Sequence, residues 1–204
     1  ALGARAVPVL ARGEQFTFAQ STKQIVEFLG LAENTAPELP PQELARRLDK
    51  FMGAALDLLP AMPPDRLGKH VPGRPRSYRS LAFHLFRVVD AFLDANKGAM
   101  LGPAMFAEEP PPDADTKALV SYGIMIRERF DLWWKAGDTA PDATLQTSYG
   151  PQSRHELLER TTWHCGQHVR QWMMLLEMEG VSLPPPLTEA DFQGLPMPQN
   201  VWDG

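Results

Sequence analysis

The sequence predicts a mainly α-helical protein: a four-helix bundle preceded by a small β-hairpin and a short helix. Between residues 42 and 180, four long segments repeat their apolar residues at helical spacing, and none alternates as a strand does. Proline clusters at 36–41, 62–64, 108–113 and 183–187 fall before, between or after these segments. Proline fixes φ, lacks an N–H and disfavours helix in the residue before it, so such clusters mark borders.

The elements follow in order. In "AVPVLARGEQFTFA", Val7, Val9 and Leu10 precede a turn at Gly13, and Phe16 and Phe18 alternate after it, which predicts strand, turn, strand. Ser21 then caps a short helix in "STKQIVEFLGL". A ββα piece buries too little apolar surface to stand alone. It is expected to pack on the bundle, to pair with another chain, or to be the tail of a longer domain. The first long helix spans about 42–59 (Leu44, Leu48, Phe51, Ala55 and Leu58 on one stripe). The second spans about 77–96 (Leu81, Leu85, Val88, Val89, Phe92), and the third about 115–135 (Leu119, Ile126, Phe130, Trp133, Trp134). The fourth spans about 152–179, with Ser153 and Glu156 spaced as a capping box and Gly180 placed to end it. The organisation is therefore a ββα segment at 1–32, a Pro-rich linker at 33–41, the bundle at 42–183 and a Pro-rich tail at 184–204. The long connections after the first two helices are expected to pack over a bundle end, where sites often lie.

Bulk composition narrows the function classes. Of 204 residues, 44% are apolar and 22% charged, enough to bury a core. A net charge of −5 argues against nucleic acid as the main partner. No apolar run approaches the roughly 20 residues that span a bilayer, and the first residues lack the layout of a signal peptide. Cys165 is the only cysteine, so no intramolecular disulfide forms, and a reducing cytoplasm is the expected compartment. A cysteine zinc cluster is excluded by the same count, and any metal must be held by histidine or carboxylate.

Five histidines are present, and three draw attention. His164 and His168 are four residues apart, hence on one face of the last helix, on a stripe with Leu157, Thr161, Gln171 or Trp172, and Leu175. His84 lies among Leu81, Leu85 and Val88 on the second helix. Three inward imidazoles from two helices form a facial nitrogen site, with metal–N distances of about 2.0–2.1 Å for zinc. The competing expectation is three hydrogen-bonded core histidines. His155 falls in a first helical turn, and His70 in a basic loop with Lys69, Arg74, Arg76 and Arg79. That loop is either a solvated basic surface or a clamp for a carboxylate or phosphate. Cys165 sits about 100° around the helix from His164, which makes it a buried small hydrophobe.

His84 followed by His164-Cys-Gly-Gln-His168-Val-Arg-Gln171 and the trailing "LLEMEGV" resembles the DinB/YfiT-like family over residues 42–183. The resemblance implies a four-helix bundle whose His84, His164 and His168 hold a divalent metal, zinc first, nickel or iron otherwise. It also implies thiol-dependent chemistry, since members include maleylpyruvate isomerases and S-transferases that use glutathione, mycothiol or bacillithiol. Residues 1–31 resemble the C-terminal half of a glutaredoxin-like domain, through Val7-Pro8, the Gly13 turn and Gln20-Ser21. On that likeness Val7, Gln20 and Ser21 touch a thiol tripeptide. The first half of such a fold, with its C-x-x-C or C-x-x-S, is absent from the sequence, so the chain is expected to have been cut from a longer one.

The expected function is thus a metal-dependent transferase or isomerase that uses a glutathione-like thiol on a small electrophile. Arg74, Arg76 and Arg79 orient an anionic group, and Gln171 or Glu159 hydrogen-bonds an imidazole. Two alternatives stay open. One is a metal-assisted hydrolase with Glu159 as general base; the other is a non-enzymatic binding bundle with structural histidines. The partner is a small molecule, with neither nucleic acid nor membrane, and the small N-terminal piece makes a homodimer plausible.

Overall fold

The computed structural model describes residues 9–19 and 21–202. It is mainly helical, with one small hairpin near its start, and the chain divides into two compact units, Ala1–Pro37 and Glu38–Gly204.

In the first unit, β1 (Val9–Arg12) pairs antiparallel with β2 (Gln15–Phe18), Val9 opposite Phe18 and Arg12 opposite Gln15. A two-residue loop needs positive φ, and Gly13 supplies it at 62°. Phe16 and Phe18, two apart on one strand, share a face and meet edge to face at 5.7 Å. Helix α1 (Thr22–Leu29) starts where the Ser21 hydroxyl accepts the Gln24 N–H at 3.3 Å. The expected ββα order is present, although Val7 lies outside the described residues.

The second unit holds α2 (Pro41–Leu58), α3 (Tyr78–Ala95), the short α4 (Pro103–Phe106), α5 (Thr116–Lys135), α6 (Arg154–Met178) and the short α7 (Glu189–Phe192). Helices α2 and α3 each pack against both α5 and α6. Local chemistry sets the helix starts. Ser77 accepts from the Ser80 N–H, Asp115 accepts from the Ala118 N–H at 2.8 Å, and Ser153 with Glu156 forms the complete capping box. Proline begins α2, where its missing N–H costs nothing. Leu44, Leu48 and Phe51 of α2, Leu81, Leu85 and Phe92 of α3, Ile126 and Phe130 of α5, and Val169, Trp172 and Leu175 of α6 build the core. Close approach is set by Gly123, where an added Cβ would stand 2.5 Å from the Phe86 ring.

Two expectations change. The region 42–180 does contain extended pairing: β3 (Thr144–Leu145) with β4 (Gln152–Ser153), plus single bridges His70–Ser77 and Leu101–Thr147. Pairs this short leave no alternation to read in a sequence. Residues 184–202 are not a free tail. Arg47 donates to the Asp191 carbonyl at 3.1 Å, Lys50 pairs with Asp191 at 2.5 Å, and Phe192 stacks on Phe51 at 5.2 Å. Helix α7 is thereby tied to α2. No helix among the described residues is long and apolar enough to cross a membrane.

Candidate metal centre

Helix α3 contributes His84, and α6 contributes His164 and His168. Each offers one ligand atom, and the three atoms all lie within 4.8 Å of one another. Ring centroids stand 4.7 Å apart for His164–His168, 4.9 Å for His84–His168 and 5.7 Å for His84–His164. The residue spacing explains this: four residues bring His168 back under His164, and the packing of α3 on α6 brings His84 opposite them.

His84 and His168 are both only 6% exposed, and His84 Nδ1 and His168 Nε2 have no hydrogen-bond partner. A buried polar atom without a partner costs about 1–3 kcal/mol. A cation at the centre of the three rings would satisfy both nitrogens at once, so the residues fit a divalent metal. A core-histidine arrangement gives each nitrogen a protein partner, and here two of them lack one. On its far side, His168 Nδ1 stands 2.7 Å from Gln171 Oε1. An amide oxygen only accepts, so Nδ1 carries the hydrogen and Nε2 keeps its lone pair.

All three imidazoles are held neutral, the form that ligates a metal. Burial lowers His84 to about 2, with His168 and Arg76 adding to the effect and a hydrogen bond with the Phe106 backbone opposing it. Burial likewise lowers His168 to about 4, against the Gln171 hydrogen bond and with the help of Arg76. His164 falls well below its ordinary value, first through burial and then through the other two histidines.

A cavity of about 500 Å³ opens beside His168. Arg74, Arg76 and Glu109 give it charge, and Val71, Leu81, Phe106 and Trp202 give it apolar surface. The loop that carries the arginines is shaped by its backbone. The Val71 N–H bonds the Arg76 carbonyl at 2.9 Å, Gly73 turns at φ 70°, and the His70–Ser77 bridge closes the loop at the start of α3. Burial lowers the Arg76 guanidinium from its ordinary value, Glu109 opposes that shift, and Arg74 adds to it.

The expected site residues separate accordingly. Arg74, Arg76 and Gln171 meet at the cavity with His168. Arg79 does not line it: its Nε donates to the Ala114 carbonyl at 2.8 Å and braces the approach to α5. Glu159 is not at the cavity either. It takes a hydrogen bond from the Glu38 backbone and lies near the charges of Glu38 and Glu156, while burial raises it to about 6. One residue of helix rotation is about 100°, and five separate Glu159 from His164. Ser21 spends its hydroxyl on the α1 cap, in the other unit. Val7 and Gln20 lie outside the described residues. His155 bonds the Leu39 carbonyl at 2.8 Å, and Cys165 is fully buried with its thiol pushed up by desolvation, an inert core residue. Phe106, Glu109 and Trp202 were not expected at the site. For the first two, the long Pro-rich connection was the available signal; for Trp202 there was none.

The sequence matches no protein-family model and none of the curated proteins with which it was compared.

Proposed function

We propose that residues 42–183 form a DinB/YfiT-like four-helix bundle in which His84, His164 and His168 hold one divalent metal, zinc first and nickel or iron as alternatives. The proposed activity is a transferase or isomerase that directs a glutathione-like thiol at a small, anionic electrophile. The single observation that carries this reading is the closeness of the three histidines, one ligand atom of each within 4.8 Å of the others, together with the buried, partnerless nitrogens His84 Nδ1 and His168 Nε2.

A divalent ion there supplies the positive charge that makes a thiol or water acidic enough to act near neutral pH. The chain's own residues do the rest. Gln171 holds His168 in its ligating tautomer. Arg76, with Arg74 at the cavity mouth, attracts the anionic end of a ligand, and Glu109 competes for Arg76 until that ligand arrives. Phe106 and Trp202 line the apolar part of the cavity. A cavity of about 500 Å³ suits a small molecule. The glutaredoxin-like ββα order of the first unit supports a thiol over water as the nucleophile. The hydrolytic reading relied on Glu159, which does not line this cavity.

Elemental analysis by ICP mass spectrometry, wild type beside His168→Ala, tests the metal. The expected result is near one equivalent in wild type and little in the variant. Absence of metal from both, after reconstitution with zinc, nickel and iron, would overturn the enzymatic reading and leave a binding bundle with structural histidines. With the metal established, thiols are screened against anionic electrophiles.

A further inference from the structure

One wall of the cavity comes from chain far beyond the histidine helices. After α7, residues 198–202 lie along α6 and are gripped mostly by their backbone. Arg170 donates to the Pro198 carbonyl at 3.0 Å, and Gln167 Nε2 donates to the Val201 carbonyl at 2.6 Å and the Asn200 carbonyl at 3.2 Å. The Trp202 indole N–H points at Met174 Sδ, 3.0 Å away. Gln167, Arg170, Gln171 and Met174 follow i, i+3, i+4, i+7 spacing and so form one stripe of α6.

Gln171 joins this stripe to the metal centre. Its Nε2 donates to the Val201 carbonyl at 3.1 Å, while its Oε1 faces His168 Nδ1 at 2.7 Å. A backbone carbonyl only accepts, so the amide NH₂ must face Val201. The amide oxygen then has one place to go, towards His168, and the Nδ1–H tautomer follows. Without Val201, the amide could turn and present its NH₂ to the ring, which would place the imidazole hydrogen on Nε2 and block ligation.

We infer that residues 198–202 are a positioning strap for the metal centre: the Val201 carbonyl, acting through Gln171, sets the tautomer of His168, and Trp202 closes the cavity beside it. The inference rests on the reading of the triad as a metal site, but its first readout needs no metal. Val201 and Gln171 act through His168, so both are positioning residues.

Long-range ¹H–¹⁵N NMR on the metal-free full chain reads the His168 tautomer, and competition titration with zinc alone reads affinity. Wild type is expected to show Nδ1–H. The double variant Gln167→Leu/Arg170→Leu loosens the strap without altering Gln171. It is expected to give mixed tautomers and a zinc Kd raised about 10- to 100-fold. Gln171→Leu does the same, whereas Gln171→Glu, which keeps an acceptor for Nδ1–H, retains the wild-type tautomer. Wild-type tautomer and Kd in the folded double variant would overturn the inference. Should that variant unfold by circular dichroism, identical tautomers in Gln171→Leu and Gln171→Glu would overturn it instead. A tautomer that responds as expected in a protein that takes up no zinc would leave the relay standing and remove only the metal reading.

Discussion

His168 and Gln171 stand three residues apart on α6, and the amide oxygen of one holds the Nδ1–H of the other at 2.7 Å. That contact divides the work between the two ring nitrogens. One is tied to the protein, and the other is buried and bare, in a ring whose centroid stands 4.9 Å from that of His84 and 4.7 Å from that of His164. The chemistry proposed for this protein begins from that asymmetry.

Zinc is expected to stabilise the fold. A ligand that binds only the native state at 100 times its Kd adds about 2.7 kcal/mol. For a chain of this size that is a rise in melting temperature of about 5–10 °C. Differential scanning calorimetry with and without zinc should show the rise in wild type and lose it in His84→Ala and His168→Ala. An equal rise in all three would place the ion elsewhere.

Gly123→Ala is expected to destabilise by about 1–3 kcal/mol, because the new methyl meets the Phe86 ring and the Leu56 side chain within a packed interface. Gly166→Ala meets Phe51 and should cost a similar amount. Urea unfolding would show a lower midpoint with an unchanged slope. A midpoint equal to wild type would mean that the α3–α5 and α2–α6 contacts yield more readily than their spacing suggests.

The parts of this structure that were legible in the sequence are the local ones. Ser21, Ser153 with Glu156, and Gly180 act on groups within four residues, and the long helices' limits fall within about two residues of where the periodicity puts them. The His164–His168 pair was legible because a four-residue spacing is itself a statement about a helix face, and His84 because it stands among Leu81, Leu85 and Val88 on an apolar face. Arg76 and Arg79 show where reading stops. They are three apart and chemically alike, yet one lines the cavity and the other bonds the Ala114 carbonyl, a choice made by a loop closed through a backbone bridge. The Val201 contact was illegible for a related reason: a carbonyl belongs to every residue and leaves no mark in composition or period.

Arg76→Met is expected to weaken binding of a simple anionic probe such as succinate about 10- to 100-fold, the loss of a charge-assisted contact. Its zinc content should stay at the wild-type value, since Arg76 holds no metal. Arg79→Met should bind the probe like wild type and lose stability instead, because its partner is the Ala114 carbonyl. Isothermal titration of the zinc-loaded proteins separates the two. Equal weakening in both variants would mean that the loop acts as a diffuse positive surface.

The metal-free protein is expected to lose stability as pH falls below about 6.5, before most carboxylates titrate. The sign follows from proton counts. In the unfolded chain His84 and His168 take a proton as pH drops through 6.5, while in the folded chain burial delays this to about 2 and about 4. Between those values the unfolded state binds more protons, so acid favours unfolding, by about 1.4 kcal/mol per pH unit for each histidine. Glu43 acts in a lower window. Its hydrogen bonds with Arg46 and Arg47 hold it at about 2, so its contribution is present above its ordinary value of 4.5 and fades as pH falls from there. Urea midpoints measured from pH 7 to pH 5 cover the histidine window; Glu159, raised to about 6, opposes the histidines there but is one group against three. His164, also held well below its ordinary value by burial, acts in the same direction, so wild type should fall steadily across the window and the triple variant His84→Gln/His164→Gln/His168→Gln should fall far less. A flat wild-type profile would show that the folded site admits protons freely, and the neutral, ligating state of the imidazoles would then need another explanation than burial.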